Sequence, residues 1–477
     1  MQDNLRERYD LVPYRHGAIP SSHLARIGAI GRLHGLKCAS PDHCRVLELG
    51  CAEGMNLLPV AERLPGSEFV GVDFSPVQIA TGEAARVACN LSNVRLISAD
   101  LRDFDPEAES FDYIIAHGVY SWVTDDVKDR VLDICSRALR PGGLAYVSYN
   151  TLPGWSLLDG IRRVLLAELS REIGAQAQLQ RAREVLVAMN DAIAAQPGSH
   201  AEQLRQAFGD MLAKPPELLF HDELAAINDP RTFTEFTRHA GTHGLQYVAE
   251  AHYATMPFEH VPEAMRKPLE KLSPGFTEQQ QFMDVIFQRW LRNSLICHAD
   301  QSVQRIPHPD VVKGCALGMR LQPVETRLNL APGATMRLVD ASHQAIDFHQ
   351  SSEKALLAVL SQSIPARIPF ANVLGAANRL LAQVNLPAIE DTAEACGFLL
   401  RLFTLDALDL VLVGDGDWIR TSNPPAPSAL MRYQSRNGLP VINRWHEPVA
   451  VTGDGMSWLT NDASEPNEGA FRAGLLV

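Results

Sequence analysis

From residue 45 to residue 150, short apolar runs alternate with stretches of helical period. Arg45–Leu49, Phe69–Asp73, Val94–Ile97, Tyr113–Ala116 and Leu144–Tyr149 read as strands, with Met55–Leu64, Pro76–Asn90 and Val127–Leu139 as helices between them. Strands separated by helices need crossover connections, so the pattern predicts an α/β fold built on a parallel, doubly wound sheet. The pattern then changes. Across 156–214 strand formers are scarce, and Leu158, Ile161, Leu165 and Leu169 fall on one helical stripe that Val185, Met189 and Ile193 continue. Pro197-Gly198 interrupts this helical insertion and Pro215-Pro216 ends it. Its apolar stripe has to be covered, either over the functional site or in a homodimer interface. Thr232–His239 reads as a helix and Gly244–Val248 as a turn into a strand, so the first sheet resumes after the insertion. Pro257, Pro262, Pro268, Pro274 and Gly275 mark a linker, and Phe282–Cys297 reads as one helix with Arg289 and Arg292 on a solvated face. From about residue 305 a C-terminal region carries helical patterns at Glu353–Leu360 and Phe398–Leu402 and a short apolar run at Leu410–Val413.

Composition narrows the function. The chain has 477 residues, enough for roughly three domains of about 150 residues each. Hydrophobic residues make up 46% and charged residues 21%, which supports a sizeable core and excludes wholesale disorder. Lys and Arg number 43 against 56 Asp and Glu, a formal −13, which argues against binding along a nucleic-acid backbone but not against a protein partner. None of the eight cysteines forms a C-x-x-C pair, so they read as reduced, buried thiols of a cytoplasmic protein, with no metal site expected. The amino terminus lacks a secretory h-region, and no run approaches the roughly 18 apolar residues of a membrane span.

The chemistry concentrates at strand ends. Glu48-Leu49-Gly50-Cys51-Ala52-Glu53-Gly54 directly follows the first strand, where small residues let the backbone turn sharply and approach a nucleotide. Asp73 ends the second strand, where a carboxylate can accept ribose hydroxyls, and Asp100 follows the third, where one can take an adenine amine. A dinucleotide dehydrogenase would instead prefer G-x-G-x-x-G, which is absent.

Three such features at successive strand ends resemble the class I S-adenosylmethionine-dependent methyltransferases, with Ala52 replacing the usual middle glycine. Further motifs are Tyr9-Asp10-Leu11-Val12-Pro13-Tyr14, Ser22-His23, Leu33-His34-Gly35-Leu36, Val72–Ile79, Ala116–Val123 and Ser148–Trp155. With Leu219–Leu224, Asn228 and Leu295–His298, they are similar to the bacterial methyltransferases that carry a methyltransferase regulatory domain. The best-known of these are rickettsial protein-lysine methyltransferases that modify an outer-membrane protein. Two departures stand out: Leu24 follows His23 where the family often has proline, and Met55 follows Gly54 where it often has glycine.

The resemblance implies a Rossmann-like class I methyltransferase core over 1–155, the helical insertion over 156–214, a regulatory region completing the core over 215–300, and a winged-helix-like domain over 301–477. It implies S-adenosylmethionine as cofactor, held by Glu48, Gly50, Cys51, Ala52, Gly54, Asn56, Asp73, Phe74, Gln78, Asp100, Leu101 and His117. Tyr120 and Trp122, in the loop after the fourth strand, are the expected catalytic pair, lining the entrance for a side-chain amine. Tyr9 and Tyr14 are the expected lid, and Asn150 and Trp155 the pocket floor. The implied acceptor is a protein side chain, lysine foremost. Small-molecule methylation and a non-catalytic cofactor-binding scaffold stand as competitors, although Glu48, Asp73 and Asp100 are all retained.

Overall fold

The computed structural model describes Val12, residues 17–169, Glu172, and residues 174–272, 274–325, 329–414 and 427–449, together with Leu459. Tyr9 and Tyr14 lie outside the described residues.

A seven-stranded sheet organises the first 300 residues. In chain order its parts are α1 (Leu24–Leu33), β1 (Arg45–Leu49), α2 (Leu58–Arg63), β2 (Glu68–Asp73), α3 (Pro76–Ala88), β3 (Val94–Ser98), β4 (Phe111–Ala116), α4 (Asp125–Ala138) and β5 (Leu139–Asn150). After the insertion come α8 (Phe233–Thr242), β6 (Leu245–Glu250), α9 (Glu263–Glu270), α10 (Phe276–Ile286) and β7 (Leu291–His298). The order β3-β2-β1-β4-β5-β7-β6 is parallel from β3 through β5. β7 runs antiparallel to both β5 and β6. The strand order reverses between β1 and β4, so the crevice for a ligand lies beyond the carboxyl ends of those strands. One face of the sheet packs under α4 and α8 through Val131, Leu132, Phe236 and Ala240. The other packs against α1, α2 and α3.

The insertion holds α5 (Ser156–Glu168), α6 (Ala175–Ile193) and α7 (Ser199–Ala213). Its stripe is covered within the chain: Ile161, Leu165, Leu169 and Leu186 close on Phe208, Met211, Leu219 and Phe220. Two expectations need correction. The proline-rich segment is no bare linker, because it folds into α9 and short helical turns whose Phe258 and Val261 pack on Met283. Nor is 282–297 one helix. α10 stops at Ile286, Gln288 turns left-handed at φ +44°, and β7 starts at Leu291. β7 lies between β5 and β6, and Arg292 points under α10, where it is buried at 1% exposure and paired with Glu250 and Asp284. Arg289 likewise lies against Asp284 at 3.3 Å.

Beyond residue 300 come β8 (Cys315–Met319), a small antiparallel sheet of β9 (Gln322–Pro323), β10 (Met336–Val339) and β11 (Ala345–Phe348), then α11 (Ser351–Gln362) and β12 (Ile368–Pro369). They are followed by α12 (Phe370–Gln383), α13 (Thr392–Thr404), β13 (Leu408–Leu412), α14 (Ala429–Arg436), β14 (Val441–Ile442) and β15 (Pro448–Val449). β8 is the centre of a three-stranded antiparallel sheet between β12 and β13, and α11, α12 and α13 supply most of its core. α1 joins this module to the main sheet. Its Leu24, Ala25, Ile27 and Ile30 belong to the sheet's core, whereas Ala29 and Leu33 belong to the C-terminal one. A helix apolar on two sides is shared between two cores. Arg26 completes the join, forking onto Asp409 of β13 at 2.9–3.2 Å and reaching Glu447 at 2.9 Å. Burial opposes the charge on Asp409, but Arg26, Arg367 and Arg320 outweigh it and hold the carboxyl far below its ordinary range. The eight cysteines are buried and unbridged, and no helix among the described residues is long and apolar enough to cross a membrane.

Candidate cofactor site

The turn after β1 needs left-handed backbone at three alternate positions: Gly50 at φ +73°, Ala52 at +50° and Gly54 at +72°. A Cβ at Gly50 would collide with Val119 of the loop after β4, so this glycine is dictated by close approach as well as by φ. Ala52 bears the strain that a glycine would avoid. The turn is tied to the end of β2. The amides of Gly50 and Cys51 donate to the Val72 carbonyl at 2.8 and 3.1 Å, and that of Ala52 to Asp73 at 2.8 Å. The Ser75 amide takes the other Asp73 oxygen at 2.9 Å. A carboxylate offers acceptors only, which is what hydroxyl donors require. Phe74 beside it is half-buried.

Glu48 sits behind this turn, 3% exposed. One oxygen accepts from Asn56 at 2.8 Å, and the other is buried with no hydrogen-bond partner among the described residues. Burial pushes its carboxyl up to about 8; the Asn56 bond works against this and the charge of Asp73 adds to it. Asn56 is held rigidly. Its carbonyl accepts from the Ile19 amide at 2.9 Å and from His446 Nε2 at 2.7 Å. His446 must be neutral, since burial drives it well below its ordinary value, and so it donates from Nε2. His23, 5.4 Å away ring to ring, is lowered to about 3 by burial and by Arg26. Gln78, on the first turn of α3, is buried, and its side-chain oxygen has no partner among the described residues. Cys51 is buried, its thiol raised well above normal by burial, and it packs in the turn as an apolar residue.

Farther along the same edge, Asp100 stands two residues beyond β3 and is clamped by Arg102 through Nε at 3.0 Å and through Nη2. That hydrogen bonding keeps its carboxyl low, so an incoming amine would share it with Arg102. Leu101 is half-buried next to it. His117, just after β4, bonds through Nδ1 to the Tyr146 hydroxyl at 2.9 Å and stacks on that ring.

The structure does not place Tyr120 at an entrance. It is 1% exposed, packed edge-on against Phe236 and Tyr149, and its hydroxyl lies 2.6 Å from His239 Nδ1. The short helical turn Tyr120–Trp122 aims the tyrosine under α4 and α8, into the sheet's core, and leaves Trp122 half-buried. Trp122 meets buried Trp155 edge-to-face at 5.8 Å. Asn150 donates to Asn228 at 2.8 Å, and the indole N–H of Trp155 and the amide nitrogen of Asn228 are buried without acceptors among the described residues. These unpaired donors collect after β5, next to the insertion. Sequence reasoning missed Ile19, Tyr146 and His446. Tyr146 reads as an ordinary strand residue, and His446 lies 390 positions from Asn56.

These features fit an adenosyl amino-acid ligand: a strained small-residue turn, a carboxylate at the β2 end, and a buried carboxylate oxygen without a partner. Comparison with known proteins agrees. Residues 46–143 match the methyltransferase domain model, and 215–298 match the predicted methyltransferase regulatory domain. An uncharacterised protein of Rickettsia prowazekii (strain Madrid E) is 30% identical over 460 residues, 93% of this chain and 81% of its own. PKMT2 from Rickettsia typhi, solved in complex with AdoHcy, superposes with a TM-score of 0.80 at 26% identity, covering 92% of this chain and 86% of PKMT2. Trans-aconitate 2-methyltransferase of Enterobacter sp. (strain 638) is 31% identical over 168 residues, 35% of this chain and 55% of its own. The chain therefore belongs to the bacterial class I S-adenosylmethionine-dependent methyltransferases that carry a methyltransferase regulatory domain.

Proposed function

We propose that this methyltransferase is a protein-lysine N-methyltransferase. The observation that carries the reading is the extent of the likeness to PKMT2, which takes in 92% of this chain rather than the cofactor core alone. The likeness to trans-aconitate 2-methyltransferase stops at 35% of the chain, so the small-molecule alternative draws on the shared core only.

In this reading S-adenosylmethionine supplies the methyl group. Gly50, Cys51, Ala52 and Gly54 cradle the cofactor by backbone. Asp73 accepts its ribose hydroxyls, Asp100 and Leu101 meet its adenine, and Glu48, held by Asn56, faces its ammonium. Phe74, Gln78 and His117 complete that pocket. Trp122, Trp155, Asn150 and Asn228 shape the acceptor side. A free lysine with a pKa near 10.4 is neutral only about one time in 2,500 at pH 7, so the acceptor pocket has to favour the neutral amine. Aromatic walls suit this: they attract the arriving cation and disfavour its charge once water is excluded. The protein's remaining task is alignment of amine and methyl donor.

The test is incubation of the protein with methyl-labelled cofactor and a cell lysate, followed by acid hydrolysis of the labelled products. Label in methyl-lysine is the expected result. Label confined to small molecules, or to another residue type, overturns the lysine reading.

A further inference from the structure

A second cluster of ligating side chains lies away from the cofactor turn, where α4 and α8 pack side by side on one face of the sheet. Asp129 on α4 and His239 and His243 at the end of α8 each bring one ligand atom to within 4.8 Å of the others. His239 Nε2 is 2.6 Å from Asp129 Oδ1, His243 Nε2 is 3.6 Å from the same oxygen, and the two rings meet edge-to-face at 5.3 Å. Four residues apart on a helix, the two imidazoles share one face, as a chelating pair must.

We propose that Asp129, His239 and His243 form a binding site for a divalent transition metal of the zinc type. Two imidazoles and a carboxylate are a donor set suited to such ions, and three protein ligands leave a coordination position for water or a further group. The distinguishing feature is the support behind His239. Metal-ligating histidines are oriented by a hydrogen bond at the other ring nitrogen, and here the Tyr120 hydroxyl stands 2.6 Å from Nδ1. Without metal, the tyrosine hydroxyl donates to Nδ1 while Nε2–H donates to Asp129. With metal on Nε2, the ring proton sits on Nδ1 and donates to the tyrosine oxygen. The buried hydroxyl serves either tautomer, because a phenol both donates and accepts. It also gives the site a route to the methyltransferase centre. Tyr120 and Trp122 belong to one helical turn, and the Ser121 hydroxyl in that turn accepts from the Asn150 amide at 2.9 Å. An ion on His239 would brace this turn from behind. The proposal does not depend on which acceptor the enzyme methylates.

Calorimetric titration of tag-free, full-length protein with ZnCl2 tests the site. Wild type is expected to bind one equivalent. His243→Ala, at a half-buried position, and Asp129→Asn, at an exposed one, should each weaken binding by at least about tenfold, and Tyr120→Phe by about tenfold through the loss of orientation. Absence of stoichiometric zinc binding in wild type overturns the proposal. So does binding by either His243→Ala or Asp129→Asn that matches wild type.

Discussion

Around Arg292 every carboxylate oxygen has a partner, whereas around Glu48 one carboxylate oxygen and the Nδ1 of His446 have none among the described residues. Both clusters are buried. In the first, Arg292 reaches Asp284 at 2.8–3.2 Å, Glu250 at 2.6 Å and the Gln280 carbonyl at 3.1 Å, with its guanidinium 4.3 Å over the Phe233 ring. Glu250 also accepts from the hydroxyls of Tyr247 and Ser294 and from the Asn293 amide. Burial works against the charge of Arg292, but Glu250, Tyr149 and Asp284 prevail and raise its pKa. This network joins β6, β7 and α10, and its carboxylates are committed to the chain's own cation. Buried polar groups are normally satisfied, so an unsatisfied one marks either a cost or a group suited to a partner from outside the chain. Glu48 lies beside a nucleotide-type turn, and the second explanation fits it.

The comparison can be broken from either end. Arg292→Ala leaves Glu250 and Asp284 buried without their counter-charge, and should destabilise the fold by about 3–5 kcal/mol in denaturant unfolding. A loss under about 1 kcal/mol would mean that the cluster is not the structural join described. Next in size is Asp73→Ala, which removes a charged acceptor from the cofactor side. Calorimetry should show cofactor affinity reduced by roughly 1.5–3 kcal/mol, and unchanged affinity would remove Asp73 from the site. The smallest effect is expected for His446→Ala. It frees Asn56 from one of its anchors without touching the turn, so cofactor affinity should fall by about 0.5–1.5 kcal/mol. No change there would mean that the C-terminal module and the cofactor turn are neighbours without being coupled.

Legibility in the sequence followed the range of the interactions. The turn at Gly50–Gly54, Asp73 and the five parallel strands could be read because each depends on a few adjacent residues and a short apolar run. β7 could not. Leu291–His298 has to pair with β5 on one side and β6 on the other, and its arginine is tolerable only because Glu250 and Asp284 arrive from elsewhere. Phe282–Cys297 therefore looked like a helix with a solvated arginine face. Tyr120 was misread for a related reason: a loop aromatic after β4 has two directions open to it, and contact with Phe236 and His239 decides the inward one. His446 on Asn56 and Asp129 beside His239 are long-range pairings of the same kind, with no local signature.

The central claim is that Glu48 is the open carboxylate to which the cofactor's ammonium comes. Its carboxyl sits near 8 in the free protein, so at pH 7 it is mostly protonated. Pairing with an ammonium requires the ionised form, so binding must expel that proton, and affinity must rise with pH up to about 8, by at most about tenfold per unit, before levelling. Calorimetry of S-adenosylhomocysteine binding at pH 7, in buffers of different ionisation enthalpy, measures the proton count. The account predicts release approaching one proton per ligand in wild type and none from this source in Glu48→Gln, with the pH dependence flattened. Wild-type binding without proton release, or the same release in Glu48→Gln, would contradict it.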